Sequence, residues 1–297
     1  MSADERIGSE SRARLAADLA VLGGRLALER FHRAQTARGE GAAVGDANLA
    51  IHDTLGREIA RLFPSDGLVG DEPAFDGPSP SNARYAWVLG ALDDTGHFAR
   101  GMPGFTVSIG VVRDRMPFAG AVYDPVSRWL FTGCVGRGAW LNERPLRAHG
   151  EAPGTALFAA RTPCAGGVPD YVARWMRRYG VRRIGSTALH LCYVALGGLD
   201  FVHDPRAPLA DIAGAAPVVL EAGGLLTNET GAPIFPLAPG HTAATPIAFL
   251  AGHPRALADA LRDLRVARTV GPRTRRVVSS PPAMEELDDI TRRPRDP

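Results

Sequence analysis

The stretch WVLGALDDTGHF (residues 87–98) has the pattern of a buried strand that ends in a loop with reactive side chains. Its apolar run WVLGAL predicts the strand. Two adjacent acids, Asp93 and Asp94, follow the strand, and Thr95 and His97 come directly after them. Carboxylates and imidazoles at the end of a strand can bind a cation or exchange protons with a ligand. The stretch therefore predicts a site at one end of a sheet.

Helical and strand patterns alternate on both sides of this stretch. Leucines 15, 19, 22 and 26 recur at helical spacing and predict a first amphipathic helix. Asp46 has the position of an N-cap for a second helix. Apolar runs between residues 87 and 142, separated by Gly and Pro turns, predict an antiparallel sheet. Asp211 opens a helix that Pro217 should bend in its second turn. These patterns predict layered α and β elements around a continuous core.

Composition limits the classes of partner and compartment. The 297 residues are 45% hydrophobic, enough for a sizeable core, and the formal net charge of +2 gives no general argument for a nucleic-acid or membrane partner. No apolar run reaches about 18 residues, as a membrane span requires. The three cysteines form no CxxC pair and the first residues are polar, so we expect a cytoplasmic protein.

Acidic residues stand at turns and helix starts in several places. They are Asp71 with Glu72, Asp93 with Asp94, Asp204, and Asp211. Carboxylates at such positions can converge on one hard cation such as Mg²⁺, which prefers oxygen ligands. A structural alternative exists for single members of this set, since Asp211 could cap its helix and Asp93 could form an Asx turn.

The order of the motifs resembles that of the inositol monophosphatase family of Mg²⁺-dependent phosphatases. The matching stretches are Gly70-Asp71-Glu72, WVLGALDDTGHF, GMPGFTVSI (101–109), GAVYDP, GRGAWLN, GSTALHLCYVALGGLD (185–200) and ADIAGAAPVVLEAGG (210–224). The resemblance covers roughly residues 10 to 265. It implies an α+β fold, the layered αβαβα sandwich of the inositol monophosphatase and fructose-1,6-bisphosphatase type, and usually a homodimer. We expect one domain over 1–268, with halves of about 1–150 and 151–268, and a disordered tail over 269–297.

The same resemblance implies roles for individual residues. Catalysis would use Asp71, Thr95 and Asp93. Metal ligands would be Asp71, Asp93, Asp211 and the carbonyl of Leu92. Substrate contacts would come from a set of polar side chains: Asp94, Thr95, His97, Thr187 and Asp204. Mg²⁺ is the implied cofactor.

Four positions depart from the family pattern within the stretch 87–98, namely Gly90, Ala91, Asp94 and His97, and two of them bear directly on the metal ions and the phosphate. Gly90 stands where the family has the aspartate that bridges two metal ions, which repel each other strongly without an anion between them. Asp94 replaces the glycine whose backbone amide meets the phosphate. At about 4 Å and an effective dielectric near 20, two like unit charges cost about 4 kcal/mol. The sequence therefore predicts a weakened single-metal site and reduced or changed activity.

An alternative is a rebuilt site in which Asp94 supplies the missing carboxylate and His97 a nitrogen ligand. Such a mixed site would suit Zn²⁺, Mn²⁺ or Fe²⁺ better than Mg²⁺, and a site without any metal is also open. Three functions are compatible with these residues. In the first, the protein would be a metal-dependent phosphomonoesterase for a small polyol, sugar or nucleotide-like phosphate. Alternatively, it performs non-phosphatase chemistry on a small molecule, or it is a catalytically inactive ligand-binding or partner protein.

Overall fold

The computed structural model describes residues 3–37, 42–69, 83–148, 156–160, 168–270 and 274–275. Its helices are α1 (Ala3–Ala37), α2 (Ala42–Leu62), α3 (Thr95–Ala99), α4 (Asp170–Arg178), α5 (Thr187–Leu196), α6 (Leu209–Ala213), α7 (Ala216–Glu221) and α8 (Pro254–Val270). None of these helices is both long enough and apolar enough to cross a membrane. Beyond α8, the described part of the predicted tail is the strand Thr274–Arg275.

The first sheet contains the strand predicted from residues 87–98. Its strands are β1 (Gly67–Val69), β2 (Tyr85–Asp93), β3 (Thr106–Arg113), β4 (Met116–Asp124), β5 (Trp129–Cys134), β6 (Gly138–Leu141) and β7 (Arg144–Pro145), which neighbour one another in chain order. All neighbouring pairs from β2 onward are antiparallel, as the alternation of strands and short turns predicts. β1 pairs with β2 in parallel, which the long connection over residues 70–84 allows.

The second sheet has a mixed order. Its strands are β8 (Leu157–Ala160), β10 (Gly180–Val181), β11 (Phe201–Pro208), β12 (Leu225–Thr227) and β13 (Pro246–Gly252), in the order β10-β8-β11-β13-β12. β8 is parallel to β10 and β11, whereas β13 is antiparallel to β11 and β12. A separate pair joins β9 (Val168–Pro169) to β14 (Thr274–Arg275). β11 carries Asp204 into the interior.

Three hydrophobic clusters define the layers. Alternate residues of β2 illustrate the first two, because Trp87 packs with α1 and α2 whereas Val88 packs toward α5, α6 and α7. The cluster that contains Val88 also includes residues of the second sheet. On the outer face of that sheet, Trp175 of α4 and Leu257 of α8 pack against Phe158. The order is therefore helices, sheet, helices, sheet, helices, which confirms the predicted αβαβα sandwich.

The segment predicted as one helix bent at Pro217 is instead two short helices, α6 and α7. Glycines on three neighbouring strands allow this segment to approach the first sheet closely. A Cβ atom on Gly120 would lie 2.1 Å from the carbonyl oxygen of Gly214, and one on Gly133 would lie 2.5 Å from the amide nitrogen of Val218. The approach carries Asp211, in the first turn of α6, to the end of β2. The N-cap prediction for Asp46 was wrong, because α2 already begins at Ala42.

Candidate active site

One cleft of about 960 Å³ opens at the end of β2. Its walls come from α2, the β2–α3 turn, the start of α5, β11 and the start of α6. Every predicted site residue that the structure describes lines it: Leu92, Asp93, Asp94, Thr95, His97, Thr187, Asp204 and Asp211. The remaining predicted residue, Asp71, lies outside the described residues, as does Glu72. The structure therefore brings together side chains that are more than 110 residues apart in the sequence.

The carboxylate of Asp93 is buried and held by the start of α5. Its Oδ2 accepts hydrogen bonds from the hydroxyl of Ser186 (2.6 Å) and from the amide of Ala188 (2.8 Å). Burial raises the pKa of Asp93 from 3.8 to about 6; these hydrogen bonds oppose the rise, and the nearby charge of Asp94 adds to it. Ser186 also caps α5, because its Oγ accepts the amide hydrogen of Leu189 at 2.9 Å. The start of α5 thus fixes the position of the Asp93 carboxylate at the end of β2.

Asp94 occupies the left-handed region of the backbone, with φ 67° and ψ 66°. It is the N-cap of α3, since its Oδ1 accepts the amide hydrogen of His97 at 2.9 Å. Its Oδ2 lies 3.7 Å from Nε2 of His97. The other ring nitrogen, Nδ1, is 2.7 Å from the carbonyl oxygen of Pro103, so Nδ1 donates that hydrogen bond. Asp94 and His97 are therefore in contact at the start of α3.

Gly90 has no space for a side chain. A Cβ atom there would lie 2.9 Å from the carbonyl oxygen of Ala210 and 3.2 Å from Cβ of Ser108. Real Cβ atoms essentially never approach another heavy atom that closely, and the oxygen belongs to the backbone at the start of α6. The position of the family's bridging aspartate is therefore closed by main chain as well as lacking a carboxylate.

The opposite wall consists of buried hydrogen-bonded polar groups. Asp204 is 2% exposed. Its Oδ1 accepts the amide hydrogen of Arg206 at 2.9 Å, and its Oδ2 is 3.4 Å from the hydroxyl of Thr187, which donates to it. Thr95, the first residue of α3, and Asp211, in the first turn of α6, complete the polar lining. Carboxylates and hydroxyls placed this way can accept and donate hydrogen bonds to the hydroxyl groups of a small ligand.

The described residues do not fit a bridged pair of metal ions. Among them, no three His, Cys, Asp or Glu side chains are grouped closely enough to hold a metal. Gly90 offers no carboxylate, and Oδ2 of Asp93 already accepts two hydrogen bonds. Asp94, His97 and Asp93, the ligands of the rebuilt site, do not form such a group among the described residues either. The contribution of Leu92 and Asp211 to a metal site stays a prediction.

Sequence reasoning missed several residues of the cleft. The first turns of α2 present one face to it: Gly45, Asn48, Leu49 and His52, spaced as i, i+3, i+4 and i+7. This spacing is visible in the sequence, but only an N-cap was predicted for this helix and no residue of it was assigned to the site. Arg183 and His190 also line the cleft. Burial, and then the charge of Arg183, lower the pKa of His190 to about 4, and its Nε2 accepts the amide hydrogen of Ile184 at 2.9 Å.

Comparison with known proteins identifies the same pattern along most of the chain. The model of the inositol monophosphatase family matches residues 10–266. Inositol monophosphatase 1 of Solanum lycopersicum is 30% identical over 236 residues, which are 73% of this chain and 84% of the tomato protein. Nus factor SuhB of Pseudomonas aeruginosa is 34% identical over 211 residues, which are 68% of this chain and 77% of that protein.

Solved structures agree with the fold. The inositol monophosphatase from Anabaena (Nostoc) sp. PCC 7120 superposes with a TM-score of 0.72 at 25% identity, covering 86% of this chain and 96% of that one. Inositol monophosphatase II from Staphylococcus aureus MSSA476 gives a TM-score of 0.71 at 23% identity, covering 86% and 95% of the two chains. The second match shows the fold alone.

Proposed function

The chain belongs to the inositol monophosphatase family, and on that premise we propose that it is a phosphomonoesterase for a small hydroxylated phosphate, such as a polyol, sugar or nucleotide-like phosphate. Members of this family are phosphatases that typically depend on Mg²⁺. The observation that carries the proposal is the single cleft that collects Asp93, Thr95, Thr187, Asp204 and Asp211. In line with the family, we further propose a cytoplasmic homodimer without a nucleic-acid partner.

Each wall of the cleft has a separate task in this proposal. Asp204 and Thr187 bind ring or chain hydroxyls of the substrate, since both are prepositioned by hydrogen bonds before a ligand arrives. Thr95 orients the attacking water with its hydroxyl. The phosphate binds beside Thr95 at the start of α3, where first-turn amides lack intrahelical acceptors. Because the described residues do not fit a bridged metal pair, we expect turnover well below that of a complete family site.

The proposal is tested by phosphate release from a panel of cyclitol, sugar and nucleoside monophosphates. Each substrate is assayed with Mg²⁺, Mn²⁺, Zn²⁺ or a chelator. We expect release from at least one hydroxylated monophosphate, and a loss of about 100-fold or more in Thr95→Val, the range for removing a proton-handling or water-orienting group. Thr132→Val is the matched control, because Thr132 lies on β5 and does not line the cleft.

The outcome against the proposal is also concrete. No phosphate release above background from any substrate under any metal condition, by a folded protein, would overturn it.

A second variant, Asp204→Asn, tests the substrate class. It should raise KM for a polyol phosphate more than it lowers kcat, because Asp204 contacts hydroxyls and not the reacting phosphorus. An equal effect on a phosphate without hydroxyls would contradict that role.

A second candidate function is ligand binding or partner binding without phosphatase turnover. Asp94 favours it, because its carboxylate stands in the turn that would receive a dianion. The relatives named Nus factor SuhB are a second reason to consider a partner-binding function. Saturable binding of a dephosphorylated polyol, with no hydrolysis of its phosphate ester, would favour this candidate over the first.

A further inference from the structure

Arg183 is the only arginine among the described residues that line the cleft. The same lining includes four acids, namely Asp93, Asp94, Asp204 and Asp211. A phosphate that enters this cleft therefore meets a surplus of negative charge, and no bridged metal pair formed by the described residues offsets it. Some other cation has to neutralise part of the phosphate charge if an anion is to bind here.

The backbone next to Arg183 is fixed beside the Asp94 turn. The amide of Ile184 donates to Nε2 of His190 at 2.9 Å, and the amide of Ser186 donates to the carbonyl oxygen of Gly104 at 2.9 Å. Between them, a Cβ atom on Gly185 would lie 2.9 Å from Oδ2 of Asp94. Arg183 thus lies two residues before Gly185, whose backbone runs beside the Asp94 turn that would receive the phosphate.

The charge of Arg183 reaches the inner cleft. After burial, it is the largest influence that lowers the pKa of His190, and the charge of Asp94 opposes it. None of the ion pairs formed within the described residues includes Arg183. Its guanidinium is on an exposed residue and can turn toward a ligand at the cleft mouth.

We propose that Arg183 binds the phosphate group of the ligand and replaces part of the positive charge that a metal pair would provide. This inference rests on the proposed function, since it names the anion-binding residue of the same cleft. A guanidinium can donate two parallel hydrogen bonds to two phosphate oxygens, a geometry that fixes orientation as well as charge. Arg182 provides the contrast: it is also exposed, but its guanidinium donates to the carbonyl oxygen of Val181 and it does not line the cleft.

The test is calorimetric titration of the full chain with inorganic phosphate in buffer that contains a chelator. We expect wild type to bind phosphate without metal, Arg183→Gln to bind at least tenfold more weakly, and Arg182→Gln to stay within twofold of wild type. A tenfold loss corresponds to about 1.4 kcal/mol. Melting temperatures of both variants control for folding. The inference is overturned if wild type binds no phosphate without metal, if Arg183→Gln binds normally, or if both variants lose affinity equally.

Turnover separates this inference from the proposed function. If a monophosphate is hydrolysed with the same KM by wild type and Arg183→Gln, the phosphatase proposal stands and the role of Arg183 falls. If Arg183-dependent phosphate binding is observed but no phosphomonoester is hydrolysed, Arg183 keeps its role and the phosphatase proposal falls. A raised KM in Arg183→Gln, with normal KM in Arg182→Gln, supports both.

Discussion

The two sides of the cleft differ in how their polar groups are held. The β11 side is defined as Asp204 of β11, Thr187 at the start of α5, and Ser186, which stands behind Thr187 as the N-cap of α5. Each of these side chains is buried and hydrogen-bonded to the protein. The β2 side is the segment Gly90–His97, which runs from the end of β2 into α3. Here Gly90 has no room for a Cβ, and Asp94 has a left-handed backbone that an aspartate adopts at a cost. The polar groups of the β11 side are thus fixed by contacts within the protein, whereas the β2 side is set by close backbone packing and an unusual backbone conformation.

Asp93 links the two sides, and its titration gives the largest expected effect. Its folded-state pKa of about 6 lies above the ordinary value of 3.8, so the folded protein binds this proton more tightly than the unfolded chain. Stability is therefore highest at low pH for this group and is lost as the pH rises from about 4 to about 6. A shift of this size corresponds to about 3 kcal/mol.

Asp93→Asn should remove that dependence while keeping an acceptor for the Ser186 hydroxyl and the Ala188 amide. We expect the free energy of unfolding of Asp93→Asn, relative to wild type, to rise by about 3 kcal/mol between pH 3 and pH 7. Urea unfolding at several pH values measures it. Asp114→Asn, at an exposed acid, should change stability by less than about 0.5 kcal/mol at pH 7. If the difference in unfolding free energy between Asp93→Asn and wild type were the same at every pH, protonation of Asp93 would not contribute to the stability of the folded protein.

Ser186 tests whether the β11 side holds the β2 side in place. Ser186→Ala removes the N-cap of α5 and one donor to a buried carboxylate, which together should cost about 2.5 kcal/mol. Ser186→Thr keeps a hydroxyl and should recover most of that loss. Ser127→Ala, at an exposed position, should stay within about 0.5 kcal/mol of wild type. Equal unfolding midpoints for Ser186→Ala and Ser127→Ala would mean that Asp93 is held by other contacts.

Gly90 and Gly45 line the same cleft in opposite surroundings. A Cβ at Gly90 meets the backbone of Ala210, whereas a Cβ at Gly45 meets nothing within 4 Å. Gly90→Ala should therefore cost about 2 kcal/mol through overpacking. Gly45→Ala, within α2, should stabilise by up to about 1 kcal/mol through helix propensity. Denaturant midpoints of the two variants should move in opposite directions. A neutral Gly90→Ala would show that α6 moves aside easily and that this position could again carry a side chain.

Much of the fold followed from the sequence because its signals are local. The apolar runs of β2 to β6 and the turns between them depend on neighbours within a few residues. The closure of Gly90 depends on Ala210, 120 residues later, and on the close approach of two helices to glycines of three strands. No local sequence pattern indicates a contact between residues so far apart in the chain. The one-helix prediction across Pro217 failed for the same reason, since packing against the sheet divides the segment into α6 and α7.

For the site, the sequence predicted which residues meet better than it predicted their hydrogen bonds. Family order correctly located Asp93, Asp94, Thr95, Thr187, Asp204 and Asp211 in one cleft. It could not predict that Oδ2 of Asp93 accepts two hydrogen bonds from α5, because that geometry depends on side-chain direction. Nor could it predict that Arg183 lines the cleft, since a single sequence gives no sign that residues 183–186 run beside the Asp94 turn.

Asp94 gives the smallest expected effect and separates the two properties that distinguish the β2 side, its strained backbone and its added charge. In Asp94→Gly the left-handed conformation becomes free of cost, and replacing an N-cap by glycine loses only a few tenths of a kcal/mol, so stability should rise by about 0.5 kcal/mol. In Asp94→Ala the left-handed cost remains and the cap is lost, so stability should fall by about 1 kcal/mol. Both variants remove the carboxylate equally. Inorganic phosphate should then bind more tightly to both by the same factor if charge limits the anion site, while their unfolding midpoints move apart. Tighter binding in Asp94→Gly alone would contradict the charge explanation and show that backbone approach to the phosphate is the limiting property of this turn.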